Sequence, residues 1–278
     1  MVASAQEALV RIDVADAEFN YTDGMDFDDT AGTLNTSTFE LGSSVSGPIE
    51  LFAGFKLIPQ FRYRLTSLDF DGVNPTFPIG DEELHSLATS VFALKMDNSS
   101  PWIYGGLVRA EMASDFQHIN GDDFTFDLAG GVGYRFNSDF IAGIGVAAIN
   151  LNGDFRVFPG INFDWVVNKE IRVGLYGPNF VASYTPSDDW SISLRGEPRG
   201  GIWNITDTGG ESHSVDLSSY QMGLFVNRRI VDKLWLTGGV GTSFGNEISL
   251  TEPNGDELSS EDMDAGLFYQ IGLSLKTW

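Results

Sequence analysis

Cysteine is absent from the sequence, which excludes disulfide staples, thiolate chemistry and every metal site that needs sulfur. Histidine is scarce, and His85, His118 and His213 lie too far apart to share metal-ligand spacing. Basic residues are few: 16 Lys and Arg stand against 39 Asp and Glu, for a net charge of -23. With a pI near 4.2, nucleic acid is disfavoured as a partner. No apolar run reaches the roughly 18 residues that a membrane-spanning helix needs. The nearest candidate, Phe140 to Leu151, is short and broken by Gly143 and Gly145. If the chain crosses a membrane, it does so with strands.

What is abundant fits strands. Glycine numbers 32 and phenylalanine 21, and aromatic residues make up 13% of the chain, a composition poor for long helices and good for pleated walls. Nothing reads as an interdomain linker, so residues 6–278 are expected to form one domain. Ala3-Ser4-Ala5 before Gln6 has the small-residue character of a signal-peptide cleavage region, so residues 1–5 read as its remnant. Export without cysteine suits the envelope of a Gram-negative bacterium.

Side chains of a strand alternate between two faces, so each strand yields two interleaved lists. In 55–65 one list runs Phe55, Leu57, Pro59, Phe61, Tyr63, Leu65 and the other Lys56, Ile58, Gln60, Arg62, Arg64. In 102–112 and 124–136 the polar lists carry Arg109 and Glu111, then Asp127 and Arg135. In 190–202 the polar list carries Arg195, Glu197 and Arg199. Segments 234–244 and 265–275 alternate in the same way. Across the six segments the apolar lists hold 38 positions without a charge, and the other lists hold 32 positions with 10 charges. A soluble sheet also alternates, but so many strands would crowd one soluble core with aromatics at their ends. In a transmembrane barrel those ends form interfacial girdles. Trp102, Tyr104, Tyr134, Phe136 and Trp190 lie beside expected short turns, where one girdle belongs.

Connections alternate between short and long. Short ones fall at Ser46-Gly47-Pro48, 97–100, 137–139, Asn168-Lys169, 186–189 and 230–232, and long ones at 20–35, 70–83, 114–123, 207–212 and 245–262. That is the pattern of periplasmic turns and outer loops. The pattern predicts strands near 8–19, 37–45, 51–69, 84–96, 101–113, 124–136, 140–151, 155–166, 170–176, 179–185, 190–205, 214–228, 233–244 and 264–277. This makes an antiparallel up-and-down barrel of 14 strands, falling to 12 if the hairpin broken by Gly177-Pro178 lies outside the wall.

The whole chain resembles bacterial outer-membrane β-barrels, and in particular an uncharacterised porin-like family of similar length. The shared mark is a C-terminal strand with a polar residue, a glycine and spaced apolar residues ending near an aromatic, here Gln270, Gly272, Leu275 and Trp278. Trp278 departs in register, falling on the face opposite Ile271, Leu273 and Leu275. The resemblance implies a barrel in the outer membrane and names no substrate.

The candidate lumen-lining residues are Lys56, Arg62, Arg64, Arg109, Glu111, Asp127, Arg135, Arg195, Glu197 and Arg199. Basic residues predominate among them, while the five long loops hold 19 Asp and Glu and no Lys or Arg. A basic constriction would favour anionic solutes. The same residues, paired as Arg–carboxylate contacts, would instead fill and rigidify the lumen.

Divalent cations are possible partners at Asp23, Asp26, Asp28, Asp29 and the 256–264 stretch, although neither follows EF-hand spacing. No other cofactor is indicated. Nucleophilic catalysis needs His and Ser on one face, but His85 and Ser86 are adjacent, as His213 is to Ser212 and Ser214. Gly130-Gly131-Val132-Gly133 and Gly238-Gly239-Val240-Gly241 open no helix, so they read as strand glycines, flat lumen patches beside Trp or Arg, rather than phosphate loops. The expected function is porin-like passage of small solutes. The competing readings are a closed structural or surface-binding barrel and, further off, a lipid-modifying enzyme.

Overall fold

The computed structural model describes residues 13–44, 48–72, 79–97, 99–151, 154–206, 212–252 and 255–276. Residues 1–5, expected to be a signal-peptide remnant, Ser46-Gly47, most of the expected 207–212 loop and the terminal Trp278 lie outside the described residues. The strands are β1 (Asp13–Asp26), β2 (Thr33–Ser44), β3 (Ile49–Phe52), β4 (Phe55–Asp71), β5 (Glu82–Met96), β6 (Trp102–Ser114), β7 (Phe124–Arg135) and β8 (Phe140–Leu151). They continue as β9 (Asp154–Val166), β10 (Ile171–Tyr176), β11 (Asn179–Ser187), β12 (Trp190–Thr206), β13 (Ser212–Val231), β14 (Leu234–Thr251), β15 (Glu257–Met263) and β16 (Gly266–Lys276). Every wall strand pairs antiparallel with its sequence neighbours, with β2 followed directly by β4, and β16 joins β1 to β14, closing a 14-strand barrel. The β10–β11 hairpin belongs to the wall, since β10 pairs with β9 and β11 with β12.

Several boundaries differ from expectation, for local reasons. β1 runs to Asp26 and β14 to Thr251, so much of two expected long loops is strand. β15 pairs with the extended end of β14, from Asn246↔Met263 to Thr251↔Glu257, and carries the wall past the rim. The expected 51–69 strand is split by a tight turn, Gly54 having φ 75°, into the β3–β4 hairpin.

Short turns are built from Asx chemistry. Asn137 Oδ1 accepts the N–H groups of Asp139 and Phe140, both at 2.8 Å, and Asn168 does the same for Glu170 and Ile171. The Asp97 carboxylate accepts the Ser99 N–H at 2.8 Å, which holds its pKa below the ordinary carboxylate value.

Alternation decides the two faces of the wall. Outward residues form a continuous apolar belt, including Phe126, Leu128, Ile144, Val146, Ile161, Leu224, Leu267 and Ile271, all exposed. At the short-turn end Trp102, Tyr134 and Phe136 pack edge to face, with ring centroids 5.0 and 5.1 Å apart, and Arg228 sits over the Trp190 ring at 4.5 Å.

The interior is divided. Past Gly196, β12 loses β11 as a partner and turns inward until Asn204 bridges Ser114 of β6. Asp115 N donates to Asn204 O at 3.2 Å, Thr206 N donates to the Asp115 carboxylate at 2.9 Å, and Asn204 Nδ2 donates to buried Asp123 at 2.7 Å. At the long-loop end, β12, β13, β14, β16, β1, β2, β4, β5 and β6 therefore enclose a smaller ring, while the outer parts of β7, β8 and β9 stand outside it. A ring of about that size has an interior that side chains alone can fill. Apolar residues fill it here: Leu34, Leu84, Trp203, Val215 and Ile248 are buried at its centre, ringed by Met25, Phe27, Leu68, Ile205, Leu217, Leu250 and Met263.

Candidate functional site

Below the apolar mouth, toward the short turns, inward charges from opposite walls meet. Arg199 on β12 reaches across to Glu18 on β1 at 2.6 Å and contacts Glu197 on its own strand at 2.5 Å. Glu40 on β2 receives two guanidinium groups from β4, Arg62 at 2.7 Å and Arg64 at 2.9 Å. Arg64 also donates to the Gly200 carbonyl at 2.9 Å, tying β4 to β12. One step toward the mouth, Asn20 Nδ2 donates to Gln221 Oε1 at 3.0 Å, and Gln221 Nε2 donates to Thr22 at 2.9 Å. These bonds cross the lumen between β1 and β13, and the cavity left between the layers is small, about 30 Å³, room for no more than a few waters.

On the short-turn side of this layer lies a polar vestibule of about 550 Å³. Its ionisable lining comprises Asp13, Asp16, Glu18, Glu40 and Glu197 against Arg62, Arg195, Arg199 and Lys276. The two signs nearly balance, correcting the expected basic excess. Arg195 is fixed above the Phe225 ring at 4.6 Å and donates to Asn227 at 2.9 Å and Ser193 at 3.0 Å.

The remaining sequence candidates lie elsewhere along the inner face. Arg109 contacts Glu111 at 2.7 Å and Asp127 at 3.7 Å, Glu111 also accepts from Ser86, and Asp127 accepts the Asn150 N–H at 3.1 Å. Arg135 has buried Nε and Nη2 groups without an acceptor among the described residues. Lys56 is half-buried opposite Glu50 and Leu94, at the β3 hairpin. The ten candidates therefore do not form one constriction. Arg62, Arg64, Arg195, Glu197 and Arg199 converge, while Arg109, Glu111 and Asp127 form a second cluster near β7.

Four acids escaped the sequence reading: Asp13, Asp16, Glu18 and Glu40. Their signal was present, because Asp16, Glu18 and Asn20 alternate with Ala15, Ala17 and Phe19. Asp164, buried and paired with Arg172, escaped similarly.

His85 faces outward, sharing a 2.9 Å hydrogen bond with Tyr63 and stacking on Phe116, whereas Ser86 faces inward to Glu111. That adjacency forms no nucleophile–base pair. Among the described residues no three His, Asp or Glu gather in a metal-binding arrangement. Of the two glycine-rich runs, the one on β14 lies beside Phe, since a Cβ on Gly239 or Gly241 would meet the Phe225 or Phe268 ring, whereas on β7 a Cβ on Gly131 would meet the backbone of β8 and one on Gly133 would lie near Ile103 and Ile141.

Fold and interior together define a closed, all-β antiparallel barrel with an apolar exterior and a polar, partly filled lumen. Residues 78–276 match the model of a domain of unknown function, DUF6268, and the chain belongs to that family. No curated protein matches it. Among solved structures it is similar to an outer membrane channel from Pseudomonas putida F1, with 11% identity over 95% of this chain and 96% of that one and a TM-score of 0.47. The NanC porin gives 9% identity over 94% and 98%, with a TM-score of 0.40. The Pseudomonas putida toluene transporter TodX gives 8% over 95% and 90%, with a TM-score of 0.34. Likenesses at this level are too distant to transfer a function.

Proposed function

We propose that the protein is a bacterial outer-membrane channel for small solutes, porin-like in architecture and shut along its axis in the conformation described. The membrane part of the reading is supported by the uncharged outward belt, whose large exposed apolar surface is stable only against lipid. The observation that carries the channel part is the vestibule of about 550 Å³, polar and lined by both charge signs, ending at a layer of side chains. A barrel serving only as a scaffold has no need of such a chamber. Its mixed charges suit a small zwitterionic or weakly charged solute better than a simple anion, because each sign is available within one chamber.

A second reading, a closed barrel with a structural role, is favoured by the apolar mouth centred on Trp203. Conductance in planar bilayers separates the two. The wild type is expected to be silent or to open rarely, and a double variant, Trp203→Ala with Gln221→Ala, which thins both the apolar mouth and the polar layer below it, to open more often. Steady wild-type conductance would overturn the shut state. Silence of both proteins, each fully folded, would leave the structural reading.

A further inference from the structure

Between β9 and β12 the wall is complete only in its short-turn half. There the β10–β11 hairpin fills it, ending at the pairs Tyr176↔Asn162 and Phe180↔Gly196. Beyond that hairpin no described strand pairs with β9 over residues 155–160 on the side away from β8. The edge of β12 has turned inward and found other partners: Arg64 on the Gly200 carbonyl and Asp115 on Asn204 and Thr206. β9 has not followed it.

Both edges of the gap carry proline, Pro159 on β9 and Pro198 on β12. The Ile161 carbonyl, two residues from Pro159, accepts from Gly177 on the hairpin side. The N–H that Pro159 lacks would therefore point into the gap. An edge trimmed of donors is a poor template for another strand, which argues against β-augmentation as the use of this edge.

The inner face of the freed segment carries Arg156, Phe158 and Gly160. Asp164 is buried against Arg172 and Val166 packs into an interior cluster, and the register with β8 is unshifted, so Phe158 lies on the inward face. It is nevertheless 45% exposed. Ala147 is its partner on β8, with Gly145 and Gly160 beside them, so the surface next to the ring is smooth. Outward neighbours Val157 and Ile161 are 67% and 62% exposed and belong to the apolar belt. The belt thus continues around the β9 edge onto the inner face. Toward the long loops, Arg156 lies within electrostatic reach of Asp216 on β13 and gives this region a polar rim.

We propose that this gap is a lateral cleft that takes a hydrocarbon chain of a membrane lipid, seated against Phe158 and Ala147. The proposal rests on the membrane reading above, because the gap in the wall lies beside Val157 and Ile161 of the outward apolar belt. With no native cysteine, single-cysteine variants V157C, F158C, A147C and S90C can each carry a bimane fluorophore in lipid vesicles. Acyl-chain-brominated lipid reports contact with hydrocarbon, and aqueous iodide reports contact with water. Bromolipid is expected to quench bimane at 158 and 147 to at least half the extent seen at outward position 157. Position 90, inward in a wall paired on both sides, is expected to show at most a tenth of that extent. Quenching at 157 together with behaviour at 158 and 147 like that at 90 would overturn the cleft. Absence of bromolipid quenching at 157 would instead overturn the membrane reading. Position 147 guards against a misfolded F158C, since Ala147→Cys is a small change.

Discussion

Gly200 has φ 111°, and a Cβ built on it would run into the Leu217 carbonyl oxygen. An L side chain is strained there for two separate reasons, backbone conformation and space, and this is where β12 leaves the wall for β6. Gly200→Ala is therefore expected to cost roughly 1–3 kcal/mol or more and to loosen the β6–β12 contact. Gly238→Ala, where a Cβ meets nothing within 4 Å, should be near neutral. Urea unfolding of both variants from lipid vesicles checks this, and equal tolerance would show that the bend does not depend on the glycine. Trp203 poses the opposite problem. It is 1% exposed at the centre of the apolar mouth, so its truncation should destabilise by about 3–5 kcal/mol. Reading the double variant's conductance therefore requires confirmed folding. At this scale the sequence exposed half of the charged layer: Arg62, Arg64, Arg195 and Arg199 stand out against apolar neighbours. Their partners Glu18 and Glu40 sit on strands whose charged and apolar residues alternate less starkly, and the cross-lumen pairing of Arg199 with Glu18 depends on the closure of the whole wall.

Strands were more legible than their ends. Period-two alternation marks each wall strand because one face meets an apolar surrounding and the other a polar interior. Extensions such as the end of β14 and β15 rise above the belt, where that contrast disappears; 257–263 is mostly polar and reads as loop. The β10–β11 hairpin was ambiguous for a related reason, since six residues in β10 are too few to establish a period. The two-face assignment itself can be tested on β7. Leu128 is outward and exposed, its neighbour Ala129 is on the inward register, and Leu128 pairs with Val108 and Ala148. Leu128→Arg should cost about 2–4 kcal/mol if it sits near the bilayer midplane, whereas Ala129→Arg should cost less. Folding yields into vesicles, followed by denaturant titration, give the comparison, and a larger penalty at Ala129 would reverse the assignment of faces.

For the whole molecule, the sequence pointed to a barrel and left its interior undecided, since 14 strands lie between filled and open sizes. Tertiary contact resolves it: by joining β6, β12 encloses a smaller ring that side chains can fill, and no local pattern encodes a bridge between Ser114 and Asn204. The resulting molecule is asymmetric along its axis, with the acidic loops and apolar mouth at one end and the vestibule at the other. If the long-loop end faces outward, the mouth shuts the barrel to the surroundings and the vestibule opens to the periplasm. Cysteine substitution tests this without background, because the chain has no native thiol. On intact cells an impermeant maleimide is expected to label Asp28→Cys and Asp256→Cys, both near the long-loop rim. Ser138→Cys, in the β7–β8 turn, should label only after the outer membrane is breached. Labelling confined to position 138 would invert the barrel, place the vestibule at the cell surface and turn the proposed direction of solute entry around.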